Sequence, residues 1–458
     1  MITKRASIIL TALIFLCIGF SVIQLQVMPH IPILFGIVIL LAFGFIKKIP
    51  WSIMENGMKN GISAGLPSIF IFLLVGALIS VWIAAGTIPT LMVYGFQIVS
   101  PKIFLPTVFI VCSIIGTSIG SAFTTAATVG IAFMGMGSAL GYDAALVAGA
   151  VISGSFFGDK MSPLSDTTNL APAVSKVDMF DHIRNMLWTT VPAFAISLVI
   201  FFILGKGTSG QLQFASFTET LEKHATISIV TLLPVLVLFV LAVKKVPAVP
   251  TLLAGIISGI IILFIFTPNT SLTSLINIMQ NGYVSHTGVK DIDSLLTRGG
   301  LQSMLMSVAL IFLSLGMGGL LQEMGIIKQL MAAIASFVTT SGRLIFSTAA
   351  TAIGVNFLLG EQYLSIILPG QAFAEKYDEL GLKRRNLSRV LEDAGTVINP
   401  LVPWGVSGVF LASVLNVPTI SYLPYTVFCL LCPIITLFVG FTGFGLSWEK
   451  EHKEKSAA

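Results

Sequence analysis

Apolar runs long enough to cross a bilayer, parted by short polar joints, recur along most of the chain. They fall at roughly 6–27, 31–46 and 66–85 and, after a short amphipathic segment at 88–99, at 103–139, 143–176 and 186–204; 226–243 and 249–266 lead into the second half. A helix needs about 20 apolar residues to span the hydrocarbon, so 103–139 is too long for one crossing. Its middle, GTSIGSAFTTAATVG at 116–130, is small and polar, which predicts a re-entrant hairpin with Ser118, Ser121, Thr124 and Thr125 at the tip. The alternative is one long tilted helix whose hydroxyls bond back to its own carbonyls.

The densest polar stretch, GDKMSPLSDTTNLAPAVSK at 158–176, lies between apolar spans and so belongs at membrane depth. Irregular backbone survives there only against other protein or a water-filled cavity, because each unpaired N–H or C=O in hydrocarbon costs several kcal/mol. Ser162-Pro163 supplies the break, since proline lacks an N–H and pushes the residue before it out of helical geometry.

The second half repeats this plan, with spans at 300–320, 326–340, 343–377, 387–416 and 424–444. The third is interrupted around Gly354, Asn356, Gly360 and Glu361, the fourth at LEDAGTVINPLVPWGVSG. Setting Gly158 against Gly395 brings Ser162-Pro163 opposite Asn399-Pro400. Basic residues mark cytoplasmic loops. Lys47 and Lys48 precede the first repeat with no counterpart before the second; Lys383, Arg384 and Arg385 precede the second broken helix, whereas the matching 141–143 has none. Equivalent positions therefore face opposite sides, and the repeat is inverted. The expected fold is an all-α integral membrane protein, an inverted-repeat secondary transporter with broken helices, re-entrant hairpins and about ten full spans. Its expected divisions are scaffold helices at 1–62, repeat one at 63–205, linking helices and a loop at 206–299, repeat two at 300–446 and a cytoplasmic tail at 447–458.

Composition agrees: 55% of residues are hydrophobic and 10% charged. No soluble domain fits, and nothing suggests nucleic acid. The first run, behind Lys4 and Arg5, exceeds a signal h-region and reads as a retained helix. Cys17, Cys112, Cys429 and Cys432 sit in apolar runs, as small buried residues do. The histidines fall in loops or at span ends, and no Ser-His-Asp set, HExxH or P-loop is present. That argues against a membrane protease or an ATP-driven pump.

The candidate chemistry gathers at the breaks. Asp159 and Asp166 flank the first, and a carboxylate there that accepts either Na⁺ or H⁺ exchanges them by competition. Asp166 is also placed to cap a half-helix. Thr167, Thr168 and Asn169 offer neutral oxygens to a hard cation or to the broken backbone. Lys160 is either a counter-ion to Asp159 or a snorkelling side chain at the aqueous rim. Glu361, Glu392, Asp393 and Asn399 stand near the breaks of the second half, where Glu361 or Asp393 carries a proton, completes the cation site or makes a structural hydrogen bond. Gly154 and Gly158 fit close helix packing.

GDKMSPLSDTTNLA at 158–171, EQYLSIILPG at 361–370 and LEDAGTVINPLVPW at 391–404 resemble the signatures of the NhaC sodium/proton antiporter family, within the ion transporter superfamily. Glu361 departs from an expected Asp, and Ala394 from the Ser of EDSGT. The resemblance implies a multi-pass bacterial inner-membrane carrier, not an enzyme, with both termini cytoplasmic and no cofactor. Its cargo is Na⁺ and H⁺, exchanged at Asp159, Ser162, Asp166, Thr167, Thr168 and Asn169, with Glu361, Glu392 and Asp393; Ser121, Thr124 and Asn399 join them from the hairpin tip and second break. Na⁺ itself is expected on Asp159, Asp166, Thr168 and Asn169. The alternative within the family is Na⁺/H⁺-coupled exchange of small organic acids such as malate and lactate. A non-transporting membrane scaffold is the hypothesis of another class. The bilayer is the surrounding partner, and a homodimer is compatible with the sequence.

Overall fold

The structure, a computed structural model, describes residues 2–25, 27–205, 211–335 and 338–449. Among these, eight helices are long and apolar enough to cross a bilayer, or up to eleven spans result if each bent pair counts as one. The expected ten falls between. The lysine-rich tail assigned to the cytoplasmic side lies outside the described residues.

The first run is helix α1 (Lys4–Ile23), followed by α2 (His30–Ile46) and by an amphipathic helix, α3 (Trp51–Ala64), that the apolar runs do not announce. Helices α4 (Leu66–Ala84) and α5 (Thr87–Ile98) open the first repeat. The long run then divides into α6 (Phe104–Ile119) and α7 (Ala122–Ala139). Only Gly120 and Ser121 leave the helix, not the whole of 116–130. Gly120 turns the chain at φ +72°, where a side chain is disfavoured, and the Ser121 hydroxyl accepts the Thr124 N–H at 3.2 Å.

The next helix, α8 (Ala144–Met161), fixes the directions of these two. Its Gly154 abuts Phe109 and Cys112 and its Gly158 abuts Gly116, so α6 and α8 run parallel. Gly130 and Gly137 of α7 abut Val151 and Val147, so α7 runs against both. Helices α6 and α7 are therefore the limbs of a hairpin, and the single tilted helix is excluded. A Cβ on Gly158 would lie 2.5 Å from the Gly116 Cα, the close approach expected of that glycine. After the Ser162-Pro163 break come α9 (Asp166–Ser175) and α10 (Met179–Leu204).

Helices α11 (Leu233–Val243) and α12 (Ala248–Phe266) lead to the second repeat. It consists of α13 (Leu305–Glu323), α14 (Ile326–Ala335), α15 (Ser341–Leu359), α16 (Gln362–Glu379), α17 (Arg384–Leu391), α18 (Val406–Leu415) and α19 (Val427–Thr442). Left-handed residues punctuate both copies at a near-constant offset: Gly86 with Gly325, Gly120 with Gly360, Gly141 with Gly381, Lys176 with Asn416. That register corrects the expected alignment. Asn399-Pro400 still lies in a 3₁₀ turn, and the chain bends by 46° between Leu401 and Val406. Ser162-Pro163 thus corresponds to Val402-Pro403, and Asp159 to Asn399. Gly354 lies inside α15 and interrupts nothing.

The copies are inverted, and α10 is the ruler. At its end, the Tyr142 hydroxyl donates to Pro101 O (3.1 Å) and Gly205 O (3.0 Å), closing the mouth of the first hairpin. At its start, His182 Nδ1 meets Ser388 Oγ (2.9 Å) and Asn185 donates to Arg385 O (2.7 Å), at the mouth of the second. The 26 residues between the ends of α10 span about 39 Å. The hairpins therefore enter from opposite faces, one marked by Tyr142 and the other by Ser447, whose carbonyl accepts the Lys383 N–H at 2.9 Å.

Candidate cation site

The two hairpin tips and the first broken helix meet at a cavity of about 550 Å³. Its mouth is formed by Ala64, Pro67 and Ile71 around the start of α4 and by Lys245–Val249. The far end of α4 lies toward the Tyr142 face, because Gly95 of the following α5 abuts Met136 in the last turns of α7. The mouth therefore opens to the Ser447 face. Toward the other face Phe123, on the first tip, stacks on Phe410 with ring centroids 4.3 Å apart, and Phe410 meets Phe72 edge-on at 5.0 Å.

Of the helices that begin at this cavity, three are capped by a side-chain oxygen of the chain. Ser121 caps α7. Ser165 caps α9, accepting from the Thr168 N–H at 3.5 Å, so the predicted capping role falls on Ser165 and leaves Asp166 as the first helical residue, exposed to the cavity. Glu361 caps α16, accepting the Leu364 N–H at 2.9 Å. Carboxylates are favoured at such starts by the unpaired N–H groups and the helix dipole.

Of the expected residues, Ser121, Thr124, Asp159, Asp166, Thr167, Asn169 and Glu361 line this cavity. Asp159 is 7% exposed and faces Ala122 of the hairpin tip together with Ser165 and Thr167. The Asn169 amide donates to Pro163 O (3.0 Å) and Ser165 O (2.7 Å), while the Thr124 hydroxyl donates to Ser121 Oγ (3.1 Å).

The remaining residues hold the breaks together. Ser162 Oγ accepts the Leu164 N–H at 3.2 Å. Thr168 donates across the first break to Asp159 O (3.0 Å) and Lys160 O (3.1 Å). Asn399 donates to Asn356 Oδ1 (2.9 Å) and Gly360 O (3.4 Å) and accepts the Ser407 N–H at 2.8 Å, joining the second break to the second tip. Glu392 is buried behind the cavity and accepts from the Thr167 hydroxyl at 3.3 Å. Asp393 is buried in an ion pair with Lys160 and accepts from Thr436. Lys160 therefore neither faces Asp159 nor reaches the rim, because successive helical residues point in different directions.

Sequence reasoning missed Ser165, Gln362, Tyr363 and Lys245, which also line the cavity. Ser165 was findable as a serine followed by a short helical run, and Tyr363, which lies beside Asp166, as a neighbour of Glu361. Lys245 carried no signal beyond being basic.

Two inverted copies, each with a re-entrant hairpin and a broken helix, around a carboxylate-lined cavity define a multi-pass secondary transporter. The profile of the Na⁺/H⁺ antiporter family matches residues 154–444. An Na(+)/H(+) antiporter NhaC of Alkalihalophilus pseudofirmus is 44% identical, with 95% of each chain covered. An arginine/ornithine antiporter ArcD of Halobacterium salinarum is 37% identical (97% and 93% covered), and a malate-2H(+)/Na(+)-lactate antiporter of Bacillus subtilis 36% (88% and 87%). The chain belongs to the Na⁺/H⁺ antiporter family.

Proposed function

We propose that this chain is a secondary antiporter that exports Na⁺ in exchange for protons, the two competing for Asp159 and Asp166. The observation that carries the reading is the meeting of Asp159, Asp166 and Glu361 in one cavity at the two hairpin tips. Hydroxyl and amide oxygens of Ser121, Thr124, Thr167 and Asn169 stand beside them, the hard donors that Na⁺ prefers. A carboxylate at such a site takes a proton when the metal ion leaves, and no cofactor is needed. The 44% identical relative named an Na(+)/H(+) antiporter supports the same reading.

The carrier sits in the bacterial plasma membrane with the Ser447 face toward the cytoplasm. Lys383, Arg384 and Arg385 gather on that face, as the positive-inside rule requires of a cytoplasmic one. The cavity is then open inward, and transport exposes the same carboxylates to the other side in turn.

A second reading is exchange of an organic ion, favoured by a cavity far larger than one Na⁺ needs. Its charges suit a cation better than malate. Three carboxylates line it against one lysine, and three of the helix starts at it are already capped, by Ser121, Ser165 and Glu361.

Inverted membrane vesicles with a pH-sensitive dye test these readings. Proton flux on adding Na⁺ alone is expected. Flux that requires malate, lactate, arginine or ornithine would overturn plain cation exchange in favour of the second reading.

A further inference from the structure

Lys160 and Asp393 form an ion pair in which both side chains are wholly buried. It lies outside the cavity lining and joins the first broken helix, through α8, to the π-helical turn Glu392–Thr396 that follows α17 in the second. Thr436 of α19 donates to the other oxygen of Asp393, and the Lys160 ammonium also lies 3.8 Å from Cys432 Sγ and 5.9 Å from the Phe428 ring centre. A buried ion pair is by itself weak evidence of a stabilising role. Well-packed apolar residues do as well, whereas removal of one partner leaves a costly buried charge.

The pair's place in the chain suggests what it does. Lys160 follows Asp159 directly, and both carbonyls accept the one Thr168 hydroxyl that spans the break. The last turn of α8 is thus held from two sides, by Thr168 at the carbonyls and by Asp393 at the lysine. Asp159, on the remaining side, is left facing the first hairpin tip.

From this geometry we infer that Lys160 and Asp393 are a positioning pair, which sets the Asp159 carboxylate against the hairpin tip through the backbone of α8 without touching the transported ion. The inference rests on Asp159 being part of the Na⁺ site. Partners behind a ligand typically change affinity by about 10- to 100-fold when lost.

The test compares Lys160→Met, the double variant Lys160→Met/Asp393→Asn and Asp393→Glu with the unaltered protein in proteoliposomes. Thermal unfolding, and KM and kcat for Na⁺-driven proton flux, are measured for each. Lys160→Met alone should lose folded protein, because Asp393 is stranded. The double variant keeps the net charge and the Thr436 contact, so it should regain thermal stability while its KM for Na⁺ stays raised by about tenfold or more with kcat nearly unchanged. Asp393→Glu keeps the charges but shifts the anchor by one methylene, and should raise KM without losing folded protein.

Recovery of both stability and KM in the double variant would overturn the inference and leave a purely structural pair, as would a fall in kcat at unchanged KM. If the double variant fails to fold, Asp393→Glu decides: a raised KM upholds the inference and an unchanged KM overturns it. Absence of Na⁺-driven flux in the unaltered protein would instead sink the antiport reading itself.

Discussion

Asp159 and Asn399 occupy the same place in the two repeats, three residues before Ser162-Pro163 and Val402-Pro403 respectively. One faces the cavity; the other is tied to Asn356, Gly360 and Ser407. Asp159→Asn removes the charge while keeping the shape. It is expected to lower Na⁺-driven proton flux in vesicles by about 100-fold, the scale seen on loss of groups that govern a metal site, with normal amounts of protein in the membrane.

The reverse change, Asn399→Asp, puts a carboxylate against Asn356 Oδ1 and Gly360 O, where an amide now donates. Stranding those buried acceptors should cost about 1–3 kcal/mol, read as a lower thermal transition of the purified protein. A variant as stable as the parent would show that the second break does not depend on this amide.

Asp166 has no capping duty, since Ser165 performs it. On the proposed reading Asp166→Asn should abolish exchange, at a thermal cost smaller than the loss of the cap because only a first-turn charge is removed. Ser165→Ala should lower stability by about 1 kcal/mol, the usual cost of a lost cap. Equal thermal losses in the two variants would contradict this division of roles.

The first hairpin turns at Gly120, whose φ is +72° and where a Cβ would lie 2.7 Å from Leu164 Cβ. Gly120→Ala should destabilise by about 1–2 kcal/mol or more and impair transport. Gly354 is helical and has nothing within 4 Å of a built Cβ. Gly354→Ala should be neutral or stabilising by up to about 1 kcal/mol, as thermal unfolding of both variants would show.

In the connection from α12 to α13, Asp293 accepts from the Thr287 N–H (2.7 Å), the Thr287 and Ser285 hydroxyls (2.8 Å each) and the Gly288 N–H (3.1 Å). These bonds, the Thr287 amide foremost, hold its carboxyl down from 3.8 to about 2. A depressed carboxyl stabilises the folded loop above its unfolded value and loses that contribution as pH falls from 3.8 through about 2. Protection of the 283–297 amides, taken relative to their intrinsic exchange rates, should fall over that window, and Asp293→Asn should lower it already at neutral pH.

Much of this architecture was legible because membrane spans are written in apolar length, and both breaks carry a proline, which disfavours helical geometry in the residue before it. The hairpin tip was legible as a zone rather than a point. Only Gly120 and Ser121 leave the right-handed region there, and the neighbouring small residues return to the helix. The register of the second repeat was misread because Asn399-Pro400 and Val402-Pro403 offer two prolines close together, and torsion angles, not residue types, tell them apart. At the site, residues that line the cavity and residues that brace it are chemically alike. Thr167 and Thr168 are neighbours, yet the helix turns one toward Glu392 at the cavity wall and the other onto two carbonyls. Lys160 was unreadable for a similar reason, since its partner lies far along the chain.

Phe123 and Phe410 belong to different repeats, and their stacked rings lie between the carboxylates and the Tyr142 face. On the antiport reading proposed above, the route from the carboxylates toward the Tyr142 face passes this contact, so an aromatic pair shared by the two halves of the molecule lies on the path of release.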